Sequence, residues 1–386
     1  MQRYYFDHNA TTPVDPAVLD AMLPTLTEVY GNASSIHRFG QDARRLAEVG
    51  RQQVASLLGT KPRQIVFTSG GTEADNMAIL GTVRSNTSAK RHVITSTIEH
   101  PAVLKTCQQL EQEGVEATYI SVGASGVVDP EDVRRALRPE TVLVSIMHAN
   151  NELGTIQPIP EIAAIAREAG AAFHTDGVQS TGKIPTPVEE LGVDFFALSG
   201  HKIYAPKGIG ALYVRQGIDL ESISYGGKQE RGRRAGTDNV PGMVALGAAA
   251  ELAESNLATQ PARLGALRDR LERGVMETIS DCWVNGAGSA RTPNTTNIGF
   301  DHVEGEAMVI ALDLKGFGVS SGAACSSGAV EPSHVLTAIG LTKEQARSSI
   351  RFSLGKQTDE PAVDALLEAL PEIVNRLRIL SPSYSG

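Results

Sequence analysis

The sequence predicts an α/β protein with a large domain on a mostly parallel sheet and a smaller α+β domain after it. Three observations carry this. From about residue 60 to 215, short apolar strands alternate with amphipathic helices, the pattern of a parallel sheet covered on both faces. After Pro241 a long helical stretch runs through GMVALGAAAELAES and ARLGALRDRLERGVMETI. From about residue 280, strands and helices mix in a shorter segment.

Strands are predicted at 64–69, 91–97, 116–122, 141–148, 171–176, 194–199 and 210–214. Between them, PEIAAIAREAG (160–170) places Ile162, Ile165 and Ala166 on one face and stops at Gly170, as a helix does. The second part supplies strands at 295–300, 318–322 and 349–354, with helices at EGEAMVIALDL and EPAVDALLEALPEIVNRLRIL. No internal repeat is present.

A chain of 386 residues exceeds one ordinary core and suggests roughly two domains. Its 41% hydrophobic and 20% charged residues, with 38 glycines and 19 prolines, describe a soluble globular protein rich in tight turns. A net charge of −9 argues against nucleic acid as a partner, since phosphate binding needs concentrated Lys and Arg. The one basic cluster, Arg231, Arg233 and Arg234, is either a solvated turn or a site for an anion or subunit contact. No apolar stretch approaches the roughly 20 residues that span a bilayer, and MQRYYFDHNATT lacks a signal-peptide core, so no membrane and a cytoplasmic location are expected. Three separated cysteines, Cys107, Cys282 and Cys325, make a disulfide framework an unsuitable reading.

Ligands of a parallel α/β sheet sit beyond the carboxyl ends of its strands. Five elements end there in polar residues: Ser69-Gly70-Gly71-Thr72, Glu99-His100, Asn150-Asn151, Asp176 with Gln179, and Ser199-Gly200-His201-Lys202. TSGGTEADNMAIL reads as strand, glycine turn and helix, whose amides and Thr72 hydroxyl suit a phosphate; a plain cap by Thr72 is the simpler alternative. Lys202 follows the apolar strand DFFALS, where a lysine can lose its proton and form a Schiff base with an aldehyde, although most lysines are only solvated charges. Asp176 lies one βα unit earlier at the same edge. A carboxylate there keeps a pyridine nitrogen protonated, the condition that makes pyridoxal phosphate an electron sink, though alone it would read as a helix cap.

With these residues in view, the chain resembles the class V aminotransferase-like cysteine desulfurases, of the nitrogen-fixation (NifS-like) type. The matching segments include YFDHNATTP (5–13), GNASSIHRFG (31–40), FTSGGTEADN (67–76), ANNELGTIQPI (149–159), FHTDGVQSTGK (173–183), SGHKIYAPKGIGALYV (199–214), ERGRRAGTDN (230–239), SSGAACSSG (320–328) and RFSLG (351–355). The resemblance covers nearly the whole chain. It implies the type I pyridoxal-phosphate transferase fold, aspartate-aminotransferase-like, with a cofactor-binding domain over 15–255 and a small domain from 1–14 and 256–386.

The resemblance also implies roles. Lys202 would carry the cofactor, Asp176 would pair with its ring nitrogen, and His100 would stack on it and help move protons. Gly71, Thr72, Ser199 and His201 would hold the phosphate, with Thr237 reaching in from the second subunit of a homodimer. Asn151 and Gln179 would bond the ring oxygen or its surroundings, and Arg351, with Asn151, would hold the substrate carboxylate, a task suited to a planar guanidinium. Apart from the resemblance, Asn32 and His37 in the N-terminal loop are candidates to line the same pocket, with no catalytic role assigned.

Cys325 sits in GVSSGAACSSGAVEPS, a run of small residues with little to bury, so its loop should be mobile and its thiol reachable. Cys107 and Cys282 read as packed thiols. The implied activity converts L-cysteine to L-alanine and leaves a persulfide on Cys325. That sulfur would go to an iron–sulfur scaffold or another thiol acceptor, with a transient contact between Cys325 and the assembling cluster, for nitrogenase maturation. A housekeeping desulfurase and a selenocysteine lyase, which needs no protein thiol, are the alternatives.

Overall fold

The computed structural model describes residues 2–88, 90–321 and 331–381, and among these the strands form three sheets. The chain enters through β1 (Tyr4–Tyr5). The large sheet is built from β2 (Ile65–Thr68), β3 (His92–Ser96), β4 (Glu116–Ile120), β5 (Thr141–Ser145), β6 (Ala172–Asp176), β7 (Phe195–Ser199) and β8 (Gly210–Val214). Its spatial order is β2-β8-β7-β6-β5-β3-β4. Neighbours run parallel except β8, which opposes both β2 and β7. The apolar run of β8 reads alike in either direction, so its reversal is not written in its periodicity.

The sheet is covered on both faces, and the period-two alternation of a strand sorts its side chains between them. Phe196 and Leu198 of β7 join a core with the helices Arg38–Leu57 and Val240–Asn256, while Phe195 and Ala197 pack against Ala74 and Met77 of the helix Gly71–Ser85. The first two helices touch backbone to backbone. A Cβ on Gly50 would lie 2.4 Å from Met243 O, and one on Gly247 would lie 2.4 Å from Gly50 Cα.

A second core surrounds β9 (Cys282–Val284), β10 (Thr295–Phe300), β12 (Ser320–Ser321) and β13 (Ser349–Ser353), an antiparallel sheet in the order β12-β13-β10-β9. Between them, β11 (Phe317–Gly318) leaves this sheet and pairs in parallel with β1. The strand expected at 318–322 is therefore two short strands serving different sheets. The helical stretch expected after Pro241 is likewise two helices. Val240–Asn256 buries its apolar side in the first core, and Gln260–Thr278 buries Leu264, Leu267 and Leu271 in the second.

The N-terminal segment ties these parts together. Phe6 fills the second core, Phe6 N donates to Gly318 O, and His8 N and Asn9 N donate to Ser353 O and Oγ. Three residues later Thr12 N reaches His201 O beside the large sheet. Among the described residues no helix is long and apolar enough to cross a membrane.

Candidate active site

The carboxyl ends of β2, β3, β5, β6 and β7 open on one cavity of about 680 Å³, its mouth included. It is lined by Gly71, Thr72, His100, Asn151, Asp176, Gln179, Ser199, His201 and Lys202, nine residues singled out from the sequence, together with Asp75, Met147 and Val178. Thr237 is exposed and is not part of this lining. Arg351 adjoins through Asn151, and Cys325, with its expected cluster contact, lies outside the described residues.

At one end stands the amino terminus of the fifteen-residue helix Gly71–Ser85, whose first N–H groups have no helical acceptor and carry the positive end of the helix dipole. A Cβ on Gly71 would lie 2.7 Å from Val178 Cγ2, so a larger residue could not bring this turn so close to β6 and β7. Ser199 and His201 complete this end. Burial and the charges of Lys202 and Lys207 lower His201 to a pKa of about 4, so its imidazole is neutral, and its Nδ1 bonds to Thr11 Oγ1 at 3.1 Å. The segment carrying Thr237 is fixed nearby. The Glu230 carboxylate takes two hydrogen bonds from Arg51, at 2.6 and 2.8 Å, and one from Phe67 N at 2.9 Å, while Arg234 pairs with Glu73 at 2.9 Å.

At the other end Asp176 terminates β6, and its Oδ1 accepts from Val178 N at 2.9 Å. Burial raises its pKa, while His100, the Val178 amide and Lys202 draw it down. A ring N–H⁺ would supply the counter-charge that burial withholds. Lys202 Nζ donates to Asn9 O and, at 2.8 Å, to Ala10 O. Burial, aided by Arg351 and opposed by Asp176 and Asp7, lowers it to about 8, so a useful fraction of free amine exists near neutral pH. His100 caps the helix Pro101–Gln112, its Nδ1 accepting from Ala102 N at 3.1 Å. Burial lowers its pKa, and with Nδ1 accepting, the neutral ring has its proton on Nε2.

Behind Asp176 lie two further carboxyl groups. Burial raises Glu99 to about 8, and burial with the charges of Asp176 and Glu99 raises Asp75 well above the carboxylate range. Glu99 Oε1 accepts from Ser96 Oγ at 2.5 Å and Met147 N at 3.0 Å, and its Oε2 has no hydrogen-bond partner among the described residues. Asp75 Oδ1 faces His174 Nε2 at 3.4 Å without a formed hydrogen bond. Three adjacent buried carboxyls do not readily ionise together, and of the three it is Asp176 that His100 and Lys202 draw down.

Five residues that bear on the cavity, Asp7, Asn9, Asp75, Lys183 and Glu152, carry no role legible in the sequence. Asp7 and Asn9 stand within YFDHNATTP, whose value as a motif gives no hint of which side chain does what. Glu152 is buried, accepts from Ser333 Oγ at 2.6 Å, and is raised by that burial. His334 Nε2 bonds to Glu99 O at 2.9 Å. Asn32 and His37, candidates for the pocket wall, are not among the residues lining this cavity. His37 caps the helix Arg38–Leu57, and Asn32 Oδ1 takes the Ser34 amide two residues on, as a short polar side chain in a turn does. Cys107 is buried, which pushes its thiol to about 12, and Cys282 Sγ rests on Ile279 O at 3.0 Å.

A pyridoxal phosphate fits this donor set. The helix terminus with Thr72, Ser199 and His201 suits a phosphate, Asp176 a ring N–H, Lys202 an aldehyde and His100 a ring face.

Comparison with known proteins agrees with this geometry. A family model described as aminotransferase class-V matches residues 4–366. A "Cysteine desulfurase" of Trichormus azollae is 51% identical over 382 residues, covering 99% of this chain and 95% of that protein. A "Cysteine desulfurase IscS" of Dictyoglomus turgidum is 49% identical over 378 residues, 98% of this chain and 96% of the relative. The solved structure of a "NifS-like protein" superposes with a TM-score of 0.92 at 38% identity, covering 97% of this chain and 100% of that one.

Proposed function

We propose that this chain, which belongs to the aminotransferase class-V family and is a pyridoxal-phosphate-dependent cysteine desulfurase, moves sulfur from L-cysteine to its own Cys325. The observation that supports the reading best is the meeting of Lys202, Asp176, His100 and a helix amino terminus around one cavity, with Arg351 beside it. In the overall change the Cβ–S bond of cysteine breaks, a sulfur–sulfur bond forms on Cys325, and a proton takes the place of sulfur on the product, L-alanine. No outside oxidant or reductant is needed.

When bound, the cofactor supplies the electron sink that withdraws density from the substrate carbons and returns it. Asp176 holds a positive ring nitrogen. Lys202, with its lowered proton affinity, releases and takes up the Cα proton at Nζ. His100 donates from Nε2, since the Ala102 amide occupies Nδ1. Arg351 and Asn151 orient the substrate carboxylate, and Gln179 and Asn151 bond to the ring oxygen or its surroundings.

The persulfide sulfur passes to an iron–sulfur scaffold or another thiol acceptor, the assembling cluster being cargo in brief contact with Cys325. Nitrogenase maturation is the role we favour, on the likeness of ERGRRAGTDN and ILSPSYSG to the nitrogen-fixation type. A homodimer is part of this reading: Thr237 is exposed outside its own cavity, free to complete a partner's phosphate site, and Tyr30, Ile36 and Phe39 expose apolar surface. Domain limits of 15–255 against 1–14 with 256–386 accord with the placement of Phe6 in the second core. A cytoplasmic location completes the reading.

The test is mass spectrometry after incubation with cysteine. One added sulfur on the Cys325 peptide, with alanine released, is expected. Wild-type sulfide release by Cys325→Ala would overturn the reading in favour of a thiol-independent lyase.

A further inference from the structure

Lys183 lies next to the catalytic cavity, with Gln179 between. Its Nζ donates to Gln179 Oε1 at 2.6 Å and to Asn9 Oδ1 at 2.9 Å. The lysine nitrogen is the donor in both bonds, and each amide turns its oxygen toward it. The consequence for each amide is definite. Gln179 Nε2 points the other way and donates to Asn9 O at 3.0 Å, the same carbonyl that receives Lys202 Nζ. Asn9 Nδ2 likewise turns to Asn151 O at 3.1 Å and Thr295 Oγ1 at 2.9 Å, while Asn294 Nδ2 shares Asn9 Oδ1 at 3.1 Å.

Each amide nitrogen carries two hydrogens. Gln179 uses one on Asn9 O and retains a second in a side chain that lines the cavity. We propose that Lys183 is a positioning residue which, by pinning the carbonyl ends of the Gln179 and Asn9 amides, presents the spare Gln179 N–H to an anionic oxygen bound in the cavity, the cofactor's ring oxygen. This inference rests on the reading that Gln179 bonds to that oxygen. An unpinned amide can turn its own oxygen toward the same place and repel it.

The surroundings of Lys183 fit a steering role better than a charge-pairing one. The charges that bear on it, Lys202 and Arg351, are cations, and with burial as the main cause they push its pKa well below the ordinary lysine range. His8 is the other titratable group that feels it, and burial lowers that imidazole too. A neutral amine keeps two N–H groups, enough for the two acceptors it serves.

The test is the pH titration of the visible absorption of the cofactor attached to Lys202, in the holoenzyme. A donor on the ring oxygen stabilises its bare anion most when the neighbouring nitrogen is unprotonated, so losing the donor raises the midpoint. Lys183→Met and Gln179→Leu should each raise it by about 0.5–1 pH unit. The double variant should rise no further than either single one. Lys183→Arg, with room in the second cavity that Lys183 lines beside Tyr204 and Leu264, keeps the donors and should hold the midpoint within about 0.2 pH unit of wild type.

An unchanged midpoint in folded Lys183→Met, or additive shifts in the double variant, overturns the inference. Should Lys183→Met fail to fold, Lys183→Arg decides, and a shift as large as that of Gln179→Leu overturns the proposal. No shift in Gln179→Leu removes the underlying ring-oxygen reading as well, which separates the two failures.

Discussion

Arg351 Nη2 donates a single hydrogen bond to Asp7 Oδ1 at 2.7 Å, while Nη1 is spent on Asn151 O and the buried Nε has no partner among the described residues. A guanidinium so held keeps Nε and the second Nη2 hydrogen for a ligand beside the cavity. A planar carboxylate matches those two donors, and a bidentate pair would satisfy the buried one.

Arg351→Lys should therefore raise KM for cysteine by roughly 10–100-fold, the loss of charge-assisted bonds worth about 1.5–3 kcal/mol, without bleaching the bound cofactor. Asp7→Asn removes a competing negative charge and should lower KM a few-fold. Steady-state kinetics with cofactor absorbance check both, and an unchanged KM in Arg351→Lys speaks against carboxylate binding there.

Lys202 bears on cofactor loading. Its pKa of about 8, against 10.5 for an ordinary lysine, means the amine is protonated and inert below that value and nucleophilic above it. The rate at which apoenzyme takes up pyridoxal phosphate should rise with pH and level off above about 8. Stopped-flow absorbance reads this, and a rate still climbing past about pH 9.5 would show the lysine to be unperturbed.

Lys202→Ala should leave nothing for the aldehyde to attach to. After borohydride reduction the wild-type peptide containing position 202 gains the cofactor mass, and the variant peptide should not. Turnover should fall by at least about 10²–10⁴-fold with the proton-transfer group gone.

Glu99 carries a stability signature. Its folded pKa of about 8 exceeds the 4.5 of an ordinary glutamate, so between those values the native protein binds more protons than the unfolded chain. Stability then falls as pH rises through that window, by at most about 1.4 kcal/mol for each pH unit crossed. Glu99→Gln does not titrate. It can keep Oε1 for Ser96 and Met147, so its advantage over wild type should be absent near pH 4.5 and grow to roughly 3–5 kcal/mol by about pH 8. Denaturant melts at about pH 5 and about pH 8 measure this, and a pH-independent difference would refute the assignment.

Much of this site was legible in the sequence because the rule that places it is local. A strand that ends in polar residues puts them at the sheet edge, and six of the seven strands of the large sheet share that edge. Lys202 and Asp176 needed nothing more. Asn9 was not legible in that way: its partner Lys202 lies 193 residues along the chain, and a short motif has no periodicity from which to read direction. Lys183 looks like any surface lysine until the amides around it are placed. The direction of β8 and the division of β11 from β12 depend on partners elsewhere in the chain, which is why local patterns missed them.

The threading of residues 4–12 from the second core to the large sheet sets an order on synthesis. Asn9 waits for Ser353, 344 residues later, and Tyr4 for Phe317. At ordinary ribosomal speeds that delay is roughly 20–70 s, during which the large sheet can form but the lysine cradle cannot close. A nascent or truncated chain that stops short of Ser353 would thus lack the contacts that hold Asn9 beside Lys202.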